Sequence, residues 1–371
     1  MKIRLDISAV PFSRYGAYLS LTADKEGKLT INTARRRFEE SRAFELLLFK
    51  GGEEITEYTL DAAPEGVIIS ANGGGFVTVY IADDDTMAFV SEGVDLYFHG
   101  LDKNSYGTEQ GKRGFTIVNA GRNWYSSFYV PEGKIVPAEP WDKAAHYGRP
   151  TTRKSDVRLD CVNGWLTASL NISNSESKPK PLNPEKSIAA VKEEWETFLK
   201  KMPAVSAKTD AEKEFAAITW FNLWSSFVRA RDVYKRDTML MSKNYMTSVW
   251  SWDHCFNALA MGAVSKEAAL DQFMAPFWLQ EKSGAIPDMW NPVSGGAWGV
   301  VKPPVHGWCF SRLMDRFEYP EATLKRVYKH LSLWTGWWLN FRDGDRDGLP
   351  SYPQGCDSGW DTRPCSTRAC L

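Results

Sequence analysis

The tract from Asn174 to Ser187 constrains this chain more than any other feature, because hydrophobic residues recur with a different period on each side of it. Before it they alternate with a period of two, as strands require. After it they recur at steps of three and four, as helices require. The tract itself (Asn-Ser-Glu-Ser-Lys-Pro-Lys-Pro-Leu-Asn-Pro-Glu-Lys-Ser) is too polar and proline-rich to build a core, so it reads as a linker. The expected organisation is a β domain over residues 1–173, a linker and linker helix over 174–204, and a helical domain over 205–371.

In the first part, strands are expected at Ala17–Thr22, Phe44–Phe49, Gly66–Ser70, Gly75–Ile81, Val94–Phe98, Gly114–Val118, Asn123–Val130 and Gly164–Ile172. Clusters such as Asn72-Gly-Gly-Gly75 and Asp83-Asp-Asp85 punctuate them. Many short strands at turn-sized spacing point to an antiparallel β-sandwich.

In the second part the spacing predicts a helix over 188–202 carrying Trp195 and Phe198. Thr209-Asp-Ala-Glu212 has the spacing of a capping box. It opens a helix through Phe215, Ile218, Phe221, Trp224 and Val228, whose apolar face is broad enough to be nearly buried. Further helices are expected after Trp250-Ser-Trp-Asp253, over Lys266–Lys282, after Lys302-Pro-Pro, and from Pro320 through Leu324, Val327, Leu331, Trp334, Trp338 and Phe341. Helix, short loop, helix, with long aromatic loops at alternate junctions, suits a toroid of helical hairpins with a pocket at one end.

Composition matters here mainly for what it excludes. A net charge of −1 gives no electrostatic reason to expect nucleic acid or an anionic membrane as partner. Six scattered cysteines without a CxxC pair argue against zinc and against a disulfide scaffold. No apolar run follows the N-terminus and none could span a bilayer, so a cytoplasmic protein is expected. The oddity is sixteen tryptophans, most of them in the helical part. An indole offers a large flat apolar face, useful in a core or under a sugar ring.

The segment Asp357-Ser-Gly-Trp-Asp361 carries chemistry of that kind. A tryptophan can stack on a sugar, and a partly desolvated carboxyl can stay protonated to act as an acid. Upstream, Asp343, Asp345 and Asp347 with Gly348 imitate the start of a calcium loop, but Gln354 stands where an EF-hand needs glutamate. The turn is either a Ca2+ site or a solvated acidic turn, and the chemistry itself requires no cofactor.

Taken in order, Trp250-Ser-Trp-Asp253-His-Cys-Phe, Gly284-Ala-Ile-Pro, Lys302-Pro-Pro-Val-His-Gly-Trp308, Asp343-Gly-Asp-Arg-Asp-Gly-Leu-Pro and Asp357-Ser-Gly-Trp-Asp361 resemble the bacterial relatives of mannosyl-oligosaccharide glucosidase, in one clan with trehalases and mannosylglycerate hydrolases. The resemblance implies an N-terminal β-sandwich followed by an (α/α)6 barrel, and an inverting α-glycosidase acting on oligosaccharides or small α-glucosides. It implies Asp361 as the general acid. It implies Trp252 and Asp253 as holders of the sugar beside the scissile bond, and Pro304, His306 and Trp308 as pocket wall, with Asp357 and Trp360 nearby. Trehalase-like or mannosylglycerate hydrolase-like specificity is the nearest alternative within enzymes. A non-catalytic carbohydrate-binding protein is the alternative outside them.

After Asp361 the text departs from that pattern. Codons compatible with Thr362–Leu371 can be read in another frame as Pro-Ala-Val-Phe-Asp-Glu-Gly-Val-Pro, so the tail is expected to be out of frame. The chain is expected to stop about half-way round the barrel, without the family's general-base glutamate, and to be poorly soluble or inactive as written.

Overall fold

The computed structural model describes residues 3–102, 105–119, 124–137, 155–178 and 180–359. The chain divides into two compact units. One comprises Met1–Lys200, Val205–Arg229 and Ser242–Thr247; the other comprises Lys201–Ala204, Ala230–Met241 and Ser248–Leu371.

From Leu19 to Ser173 the first unit forms β1 (Leu19–Ala23), β2 (Leu29–Thr33), β3 (Arg42–Lys50), β4 (Glu53–Glu54), β5 (Tyr58–Ala63), β6 (Gly66–Ala71), β7 (Phe76–Asp83), β8 (Thr86–Glu92), β9 (Asp95–Gly100), β10 (Tyr106–Glu109), β11 (Gly114–Asn119), β12 (Trp124–Glu132), β13 (Lys134–Pro137), β14 (Val157–Asp160) and β15 (Trp165–Ser173). One sheet runs β1-β2-β3-β9-β14-β13, with β4 on β3. The other runs β10-β11-β12-β15-β8-β7-β6-β5. Phe44 and Phe98 of the first sheet meet Phe89 and Phe128 of the second, edge to face, with ring centroids 5.0–5.6 Å apart across the sheets. This aromatic contact is the middle of an antiparallel β-sandwich. Strands β2, β4, β5, β8, β10, β13 and β14 are additions to those the alternation marks.

Helix α1 (Pro184–Leu199) follows the linker, four residues earlier than the apolar spacing suggests. The Asn183 side chain accepts from Lys186 N at 3.0 Å, and proline occupies the first turn, where its missing N–H costs nothing. Helix α2 (Asp210–Ser225) starts at the expected capping box: Glu212 N donates to Thr209 Oγ1 (3.2 Å) and Thr209 N to Glu212 Oε2 (3.0 Å). Its Phe221 and Trp224 pack on Trp195 of α1. The nearly buried face expected for α2 is narrower in fact. Phe215 is 72% exposed, because six positions before Phe221 on a 3.6-residue helix is another side.

Residues Ser242–Thr247 form a strap on this first unit. Lys243 is buried, and its Nζ donates to Ser13 Oγ (3.2 Å), Arg14 O (2.9 Å) and Phe227 O (2.6 Å). Ser20 Oγ donates to Lys243 O, Phe38 N to Tyr245 O, and Thr247 Oγ1 to Arg36 O.

The second unit contains α3 (Asp253–Met261), α4 (Lys266–Met274), α5 (His306–Met314) and α6 (Glu321–Phe341). The helix expected to run to Lys282 stops at Met274, and Ala275–Leu279 is a tight 3-10 turn. Pro276 is the cause: it lacks the N–H and crowds the preceding turn. Pro320 caps α6 as expected. The core here gathers Phe273, Phe277, Ile286, Phe310, Val327, Trp334 and Trp338. Among the described residues no helix is long and apolar enough to cross a membrane.

Candidate active site

The loops expected to bear the site are tied together at the ends of α3, α5 and α6. A small sheet sets the first two. Strand β16 (Val249–Trp250) pairs antiparallel with β17 (Met289–Asn291), which pairs with β18 (Gly295–Gly296). Ser251 N then donates to Asp288 O at 2.8 Å. Trp252 stands at the N-cap position of α3 and Asp253 in its first turn, where the helix dipole favours a negative charge.

Trp252, Phe256 and Trp308 make an aromatic strip. Ring centroids are 6.3 Å apart between Trp252 and Phe256, and 6.2 Å between Phe256 and Trp308. Phe256 is 47% exposed and Trp308 51%, and Pro304, four residues before Trp308, is exposed as well. Phe256 is the member the sequence analysis missed; its place one helical turn after Trp252 is the signal that could have found it.

His306 behaves otherwise than the pocket-wall role implies. It starts the same helix as Trp308, but two residues round a helix separate side chains onto opposed faces. It is completely buried, beside Phe277 (5.3 Å) and Trp334 (6.1 Å), and its Nε2 donates to Ser251 O at 3.1 Å. Burial pushes its pKa down to about 4, so the ring is neutral at pH 7. His254 is its counterpart on α3, buried, with Nδ1 donating to Trp250 O at 3.2 Å and a pKa also lowered by burial to about 4. The two imidazoles brace the Trp250-Ser-Trp loop from below.

Asp357 lies in a 3-10 turn (Gly355–Ser358) and is fully buried. Its Oδ1 accepts from Val301 N at 3.0 Å, and its Oδ2 is 3.5 Å from Arg342 Nη1. Lys302 Nζ donates to Cys356 O at 3.1 Å, and Gln354 Nε2 to Gly299 O at 2.8 Å. Asp357 therefore anchors its own loop to the 299–302 loop. Gly359 then turns left-handed (φ +73°) against the Trp252 indole. The contact brings the Asp357-Ser-Gly end of the last motif to the aromatic strip. Trp360 and Asp361 lie outside the described residues.

Asp343, Asp345 and Asp347 each offer a carboxylate oxygen within 4.8 Å of the others. Hard oxygen donors of this kind suit calcium. Both oxygens of Asp343 also accept backbone amides, from Asp347 N (3.1 Å) and Gly348 N (3.0 Å), which closes the turn locally.

A helical unit that follows an antiparallel sandwich in sequence is found among known proteins too. Residues 246–370 match the family of the mannosylglycerate hydrolase MGH1-like glycoside hydrolase domain. The matched stretch is about a third of the chain, and it runs past Asp361 through most of Thr362–Leu371. A glucosylglycerate hydrolase from Mycolicibacterium hassiacum is 26% identical over 147 residues, which is 31% of this chain and 33% of that protein. The chain thus matches about a third of that relative's length. Among solved structures, the family GH92 glycosyl hydrolase ccman5 is similar with a TM-score of 0.53 and 11% identity, over 93% of this chain and 56% of that one. A family GH92 inverting mannosidase from Bacteroides thetaiotaomicron gives a TM-score of 0.46 and 10% identity, over 90% and 62% of the two chains.

Proposed function

We propose that this protein is an inverting α-glycosidase acting on a small α-glucoside, with Asp361 as general acid. Inversion needs one protonated carboxyl against the glycosidic oxygen and a second carboxylate activating water on the opposite face. Asp361 takes the first role; the second is assigned to no residue here. Trp252, Phe256 and Trp308 offer the flat apolar surface a sugar ring stacks on, and Asp253 offers acceptors for sugar hydroxyls. The helices of the second unit are, on this reading, part of an (α/α)6 barrel. Glucosylglycerate is the first substrate to try, since a glucosylglycerate hydrolase is among the similar proteins, and mannosylglycerate the second.

The observation that carries the reading is the pressing of Gly359 on Trp252, because it joins the two segments from which the acid and the sugar platform are drawn. The test is hydrolysis of glucosylglycerate by the full chain and by Asp361→Asn, followed by NMR of the first-formed sugar anomer. Turnover should fall by about 10²–10⁴-fold, as loss of general acid catalysis does, with substrate binding retained. The first product should be the β-anomer. Undiminished turnover in Asp361→Asn would remove the acid from this position, and an α-anomer would remove inversion.

A further inference from the structure

The sandwich holds a cavity with a polar floor, well away in sequence from the residues discussed so far. Along β15, Leu166, Ala168, Leu170 and Ile172 point into the core, so Ser169 and Asn171 face the other way. Pairing across the sheet sets Ser127 opposite Asn171, Asn171 opposite Thr86, and Thr86 opposite Asp83. Four neighbouring strands, β12, β15, β8 and β7, therefore carry one continuous polar row. Linker residues Ser177, Lys178 and Lys180–Leu182, with Ser187 of α1, border the space over this row, leaving a cavity of about 170 Å³ that Tyr129 and Ser169 also line.

The row is built but not closed. Asn171 Nδ2 donates to Thr86 Oγ1 at 3.0 Å, while Asn171 Oδ1 is buried without a hydrogen-bond donor. Such an acceptor is costly unless something donates to it. Asp83 accepts from Lys180 Nζ at 2.7 Å. Burial raises its pKa, but hydrogen bonds from Lys180, Thr86 and the Asp85 amide outweigh this and hold the carboxyl below its usual range. The lining thus offers acceptors (Asp83, Asn171), hydroxyls able to act either way (Ser127, Ser169), an aromatic side chain (Tyr129) and two ammonium groups, Lys178 and the Asp83-paired Lys180. An empty buried acceptor and a carboxylate ask for a ligand rich in O–H donors. A closed apolar cavity of about 150 Å³ holds a benzene ring in another protein, and this one is larger and open to the linker side, which leaves room for a ring with hydroxyls. A neutral pyranose meets both demands, whereas an anion would answer the lysines and repel Asp83.

We propose that this cavity is a second carbohydrate site, taking one neutral pyranose unit on the Ser127–Asn171–Thr86–Asp83 row. The proposal stands apart from the catalytic reading and survives its failure. The test is saturation-transfer NMR with methyl α-D-glucopyranoside on the full chain carrying Trp252→Ala, which takes one ring out of the aromatic strip of the helical unit. Saturable binding on the order of 1 mM is expected there, the weak end of specific recognition. Adding Asn171→Leu should weaken it at least tenfold, and Ser169→Val, which fills the cavity with less disturbance to the strand pairing, should do the same. Far-UV circular dichroism checks that each variant is folded. Absence of binding in the Trp252→Ala background would mean that the cavity holds only water. Wild-type affinity in both cavity variants would place the sugar elsewhere, and binding of inorganic phosphate in its stead would make this an anion site. Any of these overturns the proposal.

Discussion

Gly359 lies so close to Trp252 that a methyl group added at Gly359 would come within 1.6 Å of the indole Cζ3. The same glycine is left-handed at φ +73°, a conformation that an L side chain resists on its own account. Two separated motifs thus meet at a point where no side chain fits.

Gly359→Ala should therefore destabilise the protein by about 1–3 kcal/mol, the usual range for overpacking, and disturb the loop leading to Asp361. Trp252→Ala in the same chain should restore part of the loss, since it removes the steric half of the problem. Urea unfolding of the two single variants and the double variant measures the coupling. Strict additivity would mean that the two residues do not touch in solution.

Asp357 has no exposed surface and both its oxygens face protein groups, so its role is to hold the loop. Asp357→Asn keeps an acceptor for Val301 N but leaves the Arg342 guanidinium without its counter-charge. A loss of about 1–3 kcal/mol is expected by urea unfolding, as for a charged hydrogen bond broken on one side. An unchanged urea midpoint would show that the Arg342 contact is not formed.

His254 and His306 both have pKa values near 4 in the folded chain, below the ordinary value near 6.5. The unfolded chain thus binds more protons between those limits, and stability must fall as pH drops through that window. The slope is up to about 1.4 kcal/mol per pH unit for each histidine. Thermal melts between pH 7 and pH 4 should show this decline, and His306→Gln should flatten it. A decline equally steep in His306→Gln would mean that other groups take up the protons.

For the Asp343, Asp345 and Asp347 turn we propose a bound calcium ion with a structural role. Chelator addition should then lower the unfolding temperature, and Asp345→Asn should abolish that response. An unchanged melting midpoint on chelation would leave a solvated acidic turn.

Much of the sandwich was legible because one sheet face is buried and alternation records it, as in β12 and β15. Strand β8 escaped because Thr86–Val90 is mostly buried on both faces, which erases the alternation. Strand β2 escaped for a different reason: Asn32 and Thr33 are polar yet buried, with Asn32 Nδ2 donating to Thr22 Oγ1 at 3.1 Å. In the helical unit, steps of three and four found α6, but nothing local says that Phe277 and Trp334 would enclose His306. Asp357 is a similar case. Its motif is visible in sequence, while Val301 N and Arg342, which decide what it does, come from other segments.

The strap at Ser242–Thr247 changes how this protein can be dissected. Cutting at the proline-rich tract would free a polypeptide in which Ser13 Oγ and the Arg14 carbonyl lose the ammonium that satisfies them in the intact chain. Excision at residue 173 is thus a poor way to obtain the sandwich alone, whatever the composition suggests. A better fragment would run on through Thr247, or be given the missing hexapeptide in trans, in the manner of a split protein reassembled from its pieces.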